Sequence, residues 1–197
     1  MMTYFEANNL NFKKPKLVAL TGCDPGAGVS SLASSLAATL SRTGHGNVLL
    51  VDMNREQGLA HQFCLGRPGC GLAQVLEPEG RAPALVQDNL YLARLEEDGK
   101  TGGLAMVLPK QFNHLVPKLK ASDYDYIIFD MPPVAPTSST ARFASCMDIV
   151  LLVIEAERTG QKAAARAAAL LRESKCNVAP VLNKYRRHVP AALAPDL

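Results

Sequence analysis

Apolar positions along the chain gather into short, nearly continuous runs, with segments of helical period between them. The runs are Lys16–Gly22 (KLVALTG), Asn47–Asp52 (NVLLVD), Leu90–Leu95, Tyr126–Asp130 (YIIFD), Asp148–Glu155 (DIVLLVIE) and Asn177–Asn183. All have strand length. Three are almost unbroken Val, Ile and Leu, the composition of strands buried on both faces in a parallel sheet covered by helices. Between the first two runs, Leu32, Leu36 and Leu40 recur at i, i+4 and i+8 with alanines beside them, and Gly44 and Gly46 follow as stop signals. Gln161–Glu173 (QKAAARAAALLRE) is dense in strong helix formers. Strands alternating with helices predict an α/β fold: a doubly wound, mostly parallel sheet flanked by helices and joined by right-handed crossovers. Glu77–Pro83 and Glu96–Gly103 are rich in Gly, Pro and charge and read as surface loops; the tail after Arg187 reads as loose. No repeat or second domain is visible. The expectation is one domain over residues 1–197, with a core from about 16 to 184 and flexible termini.

Composition narrows the function classes. A chain of 197 residues, 48% of them hydrophobic, can close a sizeable core. A net charge of +3, with basic residues scattered apart from Lys13, Lys14 and Lys16 and the trio Lys184, Arg186 and Arg187, argues against nucleic acid as a partner. Runs that short read as solvated edges. No apolar run approaches the roughly 18 residues needed to span a bilayer. The opening MMTYFEANNLNFKKPK lacks the apolar core of a signal peptide, so a cytoplasmic location is expected. Cys23, Cys64, Cys70, Cys146 and Cys176 show no CxxC spacing and read as reduced structural thiols.

The turn after the first predicted strand carries the candidate chemistry, because ligands in such folds bind beyond the carboxyl ends of the strands. It reads Thr21-Gly-Cys-Asp-Pro-Gly-Ala-Gly-Val-Ser-Ser31. A phosphate loop needs small residues so that successive backbone N–H groups can curl round an anion at a helix N-terminus. Gly26, Ala27 and Gly28 supply them, and Ser30 stands where a P-loop hydroxyl meets Mg²⁺. The lysine that should follow the last glycine is missing, and Val29 takes its place. The first motif glycine falls at Cys23, with Gly22 one residue early. Asp52 and Asp130 each end an apolar run, the arrangement in which a carboxylate holds Mg²⁺ beside a P-loop strand.

The order GCDPGAGVSS, VLLVDMNRE, GLAHQFCLG…GCGLAQVL, DYDYIIFDMPPV, DIVLLVIEA and VLNK resembles the bacterial tyrosine kinase (BY-kinase) group. That group is a branch of the MinD/ParA-like deviant P-loop ATPases and is associated with exopolysaccharide and capsule synthesis and export. The likeness runs from about Lys16 to Lys184. It implies a P-loop NTPase fold in which Gly26, Ala27, Gly28, Val29, Ser30 and Ser31 face the phosphates. It also implies Asp52 and Asp130 as the two acids of the chemistry and, with Ser30, as the Mg²⁺ site, and Asn183 as the adenine reader. The departures are Val29 for the lysine, Asn54 for a second acid, Glu56 for an arginine, and Ser138 and Ser139 where an acid is common. Tyr185 is the single tyrosine after Tyr126, and no oligomerisation helix is recognisable in TYFEANNLNF.

Loss of the lysine removes a full positive charge from the phosphate cradle. A charge-assisted contact contributes roughly 1.5–3 kcal/mol net, so ATP or ADP with Mg²⁺ is expected to bind weakly. Losing a transition-state stabiliser costs about 10²–10³ in rate, so turnover is expected to be lost unless another cation such as Arg55 substitutes. The resemblance then implies a degenerate, pseudokinase-like regulator docking on a membrane polysaccharide copolymerase or a kinase partner at the inner membrane, with a homo-oligomer left open. An active ATPase or tyrosine autokinase using a substitute cation is the alternative. A MinD/ParA-type positioning ATPase is the third reading.

Overall fold

The computed structural model describes residues 16–44, 46–53, 70–95 and 109–185. Its strands are β1 (Lys16–Gly22), β2 (Val48–Asp52), β3 (Cys70–Gly71), β4 (Leu85–Gln87), β5 (Leu90–Arg94), β6 (Tyr126–Asp130), β7 (Ile149–Glu155) and β8 (Val178–Asn183). The helices are α1 (Val29–Arg42), α2 (Leu72–Leu76), α3 (Pro109–Ala121), α4 (Thr140–Ala144) and α5 (Gln161–Glu173). The sheet runs β3-β5-β2-β6-β1-β7-β8, with β4 joined to β5. Every pairing is parallel except the β4–β5 hairpin. The four runs richest in Val, Ile and Leu thus lie side by side as β2, β6, β1 and β7.

Side chains alternate along a strand, so a strand buried on both faces feeds two cores. Leu17, Ala19, Leu49, Val51, Ile127 and Phe129 face one core, closed by Phe112 and Leu119 of α3, Phe143 of α4 and Leu171 of α5. Phe112 meets Phe129 and Phe143 edge-on, with ring centroids 5.9 and 5.1 Å apart. Val18, Leu20, Val48, Leu50 and Ile128 face the other core, covered by Ala33, Ala37 and Leu40 of α1.

The α1 stripe differs from the leucine pattern. Ala33, Ser34, Ala37 and Ala38 are buried, whereas Leu32 and Leu36 are half-buried beside them. Small side chains line the sheet-facing stripe together with Leu40, and Leu32 and Leu36 flank it. The region expected as a loop over Glu77–Pro83 holds short 3₁₀ turns at Pro78–Gly80 and Ala82–Ala84. Helix α3 contains Pro117 and mixes polar with apolar residues, which hides it from a propensity reading. Glu96–Gly103, the tail after Arg187 and both expected flexible termini lie outside the described residues, as do Cys64, Asn54, Arg55 and Glu56. No helix among the described residues is long and apolar enough to cross a membrane.

Candidate functional site

The loop from Gly22 to Gly28 leaves the carboxyl end of the central strand and enters α1 directly. Its start is fixed on both sides. Cys23 N–H donates to the Val153 carbonyl on β7 at 3.3 Å, and Val134 N–H, beyond β6, donates to the Gly22 carbonyl at 2.9 Å. Thr21 Oγ1 donates to the Pro132 carbonyl at 2.7 Å, seating the Met-Pro-Pro segment against the loop. Asp24 accepts from Thr159 Oγ1 at 3.0 Å. Gly26 and Gly28 adopt φ of +81° and +92°, values that a side chain strains.

Val29 is the first residue of α1 and 6% exposed. A Cβ placed on Gly22 would lie 3.1 Å from Val29 Cγ2, 3.2 Å from the Asp24 carbonyl oxygen and 3.3 Å from Ala27 Cβ. Gly22 therefore lies close against the Val29 side chain, which belongs to the apolar cluster under α1 and takes the motif's lysine position. One residue on, Ser30 is 7% exposed, and its hydroxyl has no hydrogen-bond partner among the described residues. A buried hydroxyl without a partner is costly, and a bound cation would satisfy it. Ser31 is exposed on the same turn.

The two acids stand on neighbouring strands in register, Asp52 with Asp130, and Asp130 with Leu20 of β1. Asp130 is fully buried and Asp52 is 6% exposed. Each lies two residues beyond an α1-facing residue, Ile128 and Leu50, so alternation turns both toward the face that α1 covers. Both carboxyl groups thus stand on adjacent strands, about 4.8 Å apart strand to strand, on the face where α1 begins with Val29 and Ser30. Ser30, Asp52 and Asp130 therefore fit a Mg²⁺ ion by charge, burial and donor type.

Asn183, at the end of β8, reaches the loop: its Nδ2 donates to the Ala27 carbonyl at 2.8 Å. The structure also brings in groups the sequence reading missed. Lys184 Nζ donates to the Gly26 carbonyl at 2.7 Å and to Glu155 Oε1 at 3.0 Å. Arg158 Nη1 lies 3.5 Å from Glu155 Oε2. Arg94 pairs in register with Asp52, so the row of strand ends also carries a cation. The signal for Lys184 and Arg94 was their position at the carboxyl tips of apolar runs. Arg55, the expected substitute cation, lies outside the described residues.

Burial, and secondarily the Asp24 carboxylate, push the Cys23 thiol above its usual pKa, so the residue at the first motif position is a protonated thiol and a poor nucleophile. Ser138 is occupied in its own turn, donating to the Ala135 carbonyl at 2.9 Å and accepting from the Ala135 N–H at 3.0 Å. A depression of about 250 Å³ lined by Ala135, Pro136, Ser138, Arg142 and Glu173 lies beside the end of α5 and includes none of the loop residues.

A family model described as cellulose biosynthesis protein BcsQ matches residues 15–174, from β1 to the end of α5. The chain belongs to this family. EpsB of Ralstonia solanacearum is 30% identical over 155 residues, which is 73% of this chain and 19% of EpsB. The chain thus spans about a fifth of that relative's length. The tyrosine-protein kinase CpsD of Streptococcus agalactiae is 26% identical over 194 residues, 94% of this chain and 84% of CpsD. The kinase domain of VpsO superposes with a TM-score of 0.69 at 23% identity, covering 88% of this chain and 87% of that one. This BcsQ-family chain has the P-loop NTPase fold, and its lineage is the BY-kinase and MinD/ParA-like one that the motif order pointed to.

Proposed function

We propose that this BcsQ-family chain is a nucleotide-holding regulatory module of bacterial exopolysaccharide synthesis and export that binds ATP or ADP with Mg²⁺ and does not turn ATP over. The observation that carries the reading is the pairing of an intact loop with an apolar centre. Gly26 and Gly28 keep their left-handed conformations and Ser30 keeps a buried hydroxyl, while Val29 fills the place of the cation. In this reading the N–H groups of residues 26–30 receive the phosphates, and Ser30, Asp52 and Asp130 hold Mg²⁺. The second amide N–H of Asn183 and its Oδ1 meet the purine edge.

Mg²⁺ held by these residues would supply charge neutralisation for the phosphates. Val29 supplies no donor that follows the γ-phosphoryl into its transition state, so in this reading binding outlasts catalysis. The site then reports nucleotide state to a partner, in keeping with relatives named as tyrosine kinases and with ExoP, named as a succinoglycan biosynthesis transport protein. The partner in this reading is a membrane copolymerase or kinase-type protein, met from the cytoplasm.

Titration calorimetry with Mg-ADP and Mg-ATP, followed by phosphate release from Mg-ATP, tests this. Binding that weakens at least about tenfold in Asp130→Asn, with no release above the buffer rate, is the expected result. Steady turnover that Asp130→Asn abolishes would instead establish the active ATPase or autokinase reading, with Lys184 and Arg94 as the cations to examine.

A further inference from the structure

The loop's two outward carbonyls are both held by the end of one distant strand. Lys184 Nζ is bonded to the Gly26 carbonyl and Asn183 Nδ2 to the Ala27 carbonyl, across 158 and 156 residues of sequence. A trans peptide is planar, with its C=O and N–H pointing in opposite directions. If the Gly26 carbonyl faces Lys184, the Ala27 N–H faces away from it; if the Ala27 carbonyl faces Asn183, the Gly28 N–H faces away too. Two successive N–H groups are thereby turned together to the loop's other side, the concave arrangement that receives an anion. A conventional phosphate loop has a lysine and a bound phosphate to hold such N–H groups together against the repulsion of their parallel dipoles. This loop has Val29 at that place.

We propose that Asn183 and Lys184 are an external brace that holds the loop in its anion-receiving shape, making Lys184 a positioning residue for the phosphate end of a nucleotide, a group it does not itself touch. The inference rests on the phosphate-loop reading above and deepens it. Three further observations converge on the brace. Lys184 sits at φ +57°, a left-handed conformation uncommon outside glycine, and the strand bends there as its side chain crosses to the loop. The ammonium is anchored on its other side by Glu155, whose side chain is 10% exposed and also pairs with Arg158. Gly28 has no room for a Cβ because the Asn183 amide occupies that space. A cation on the Gly26 carbonyl also polarises that peptide, which strengthens the Ala27 N–H as a donor on the opposite face.

The test uses the full chain, Lys184→Met and Lys184→Arg, with two readouts. The first is the ¹⁵N order parameter of residues 26–28 without ligand. Wild type and Lys184→Arg should stay near the rigid value of about 0.85, and Lys184→Met should fall toward about 0.6 while β1 is unchanged. The second is the affinity for Mg-ADP and for inorganic pyrophosphate across a salt series. Lys184→Met should bind about tenfold more weakly with the wild-type salt slope, because no charge touching phosphate has been removed, and Lys184→Arg should restore most of the affinity. Unchanged order parameters in Lys184→Met overturn the brace. So does a loss of affinity with a shallower salt slope, which marks a direct phosphate contact. If wild type binds neither probe while the loop still loosens in Lys184→Met, the brace stands and the nucleotide reading fails.

Discussion

Replacing Val29 with lysine puts back the missing charge at the centre of the loop, and its consequences can be worked out from the packing. Val29 is 6% exposed and belongs to the apolar cluster under α1. Removing it gives up about 1.5 kcal/mol of burial, and the methylenes of lysine recover part of this by lying in the same space. The net cost is about 1 kcal/mol, or a fall of roughly 2–4 °C in Tm for a chain of this size. The gain is a charge-assisted contact to the phosphates of about 1.5–3 kcal/mol, so Mg-ADP should bind roughly 10- to 100-fold tighter. Val29→Met is the control, since it fills the space without charge and should leave affinity near wild type. Calorimetry gives the affinities, and thermal melts with and without Mg-ADP give both sides of the balance. A folded Val29→Lys protein binding no tighter than Val29→Met would refute the claim that a missing cation is the main defect. The phosphate loop would then be inherited shape without a ligand.

Gly28→Ala should lower stability by about 1–2 kcal/mol by urea titration and weaken Mg-ADP binding, because it adds a Cβ at φ +92° where the Asn183 amide already stands. An unchanged midpoint would mean that the loop relaxes freely. Phe112→Ala removes a fully buried ring edge-on to Phe129 and Phe143 and should cost about 3–5 kcal/mol, which a denaturant midpoint will show. Burial pushes the Tyr124 hydroxyl up to about 12, partly offset by Arg81, whose guanidinium lies 5.0 Å from the ring centroid. The folded protein then keeps a proton that the unfolded chain loses above its ordinary value near 10. Its contribution is therefore fully present below pH 10 and lost as pH rises toward 12. Tyr124→Phe should flatten that alkaline fall in urea midpoints measured at pH 8, 10 and 11, and an equally steep fall would assign it to other groups.

The parts of the fold that were legible are those in which local composition and tertiary role coincide. Strands β1 and β6 and helix α5 begin and end where the apolar runs and the helix formers do. Their residues need no partner beyond a generic helix or sheet face. Helix α3 was not legible, since it is held by Phe112 and Leu119 against one core and not by propensity, and Pro117 signals against it. In α1 the leucine spacing found the helix but only part of its contact face, because the stripe against the sheet joins Leu40 to Ala33, Ser34, Ala37 and Ala38. The candidate site divides in the same way. The positions of the loop, Ser30, Asp52 and Asp130 at the strand ends were readable because strand–turn–helix order fixes them. Lys184, Glu155 and Arg94 were not, because register across β5, β2, β7 and β8 decides which strand-end charges become neighbours.

Whether this loop is a nucleotide site without a catalytic cation is decided by a crystal structure of the wild-type chain with Mg²⁺ and a non-hydrolysable ATP analogue. Phosphates are expected on the backbone N–H groups of residues 26–30, with Mg²⁺ on Ser30 Oγ and Asp52 and Asp130 close by. Lys184 should still be bonded to the Gly26 carbonyl, and no lysine or arginine of the chain should lie on the γ-phosphate. A loop empty under saturating analogue, or a side-chain cation on the γ-phosphate, would contradict this reading.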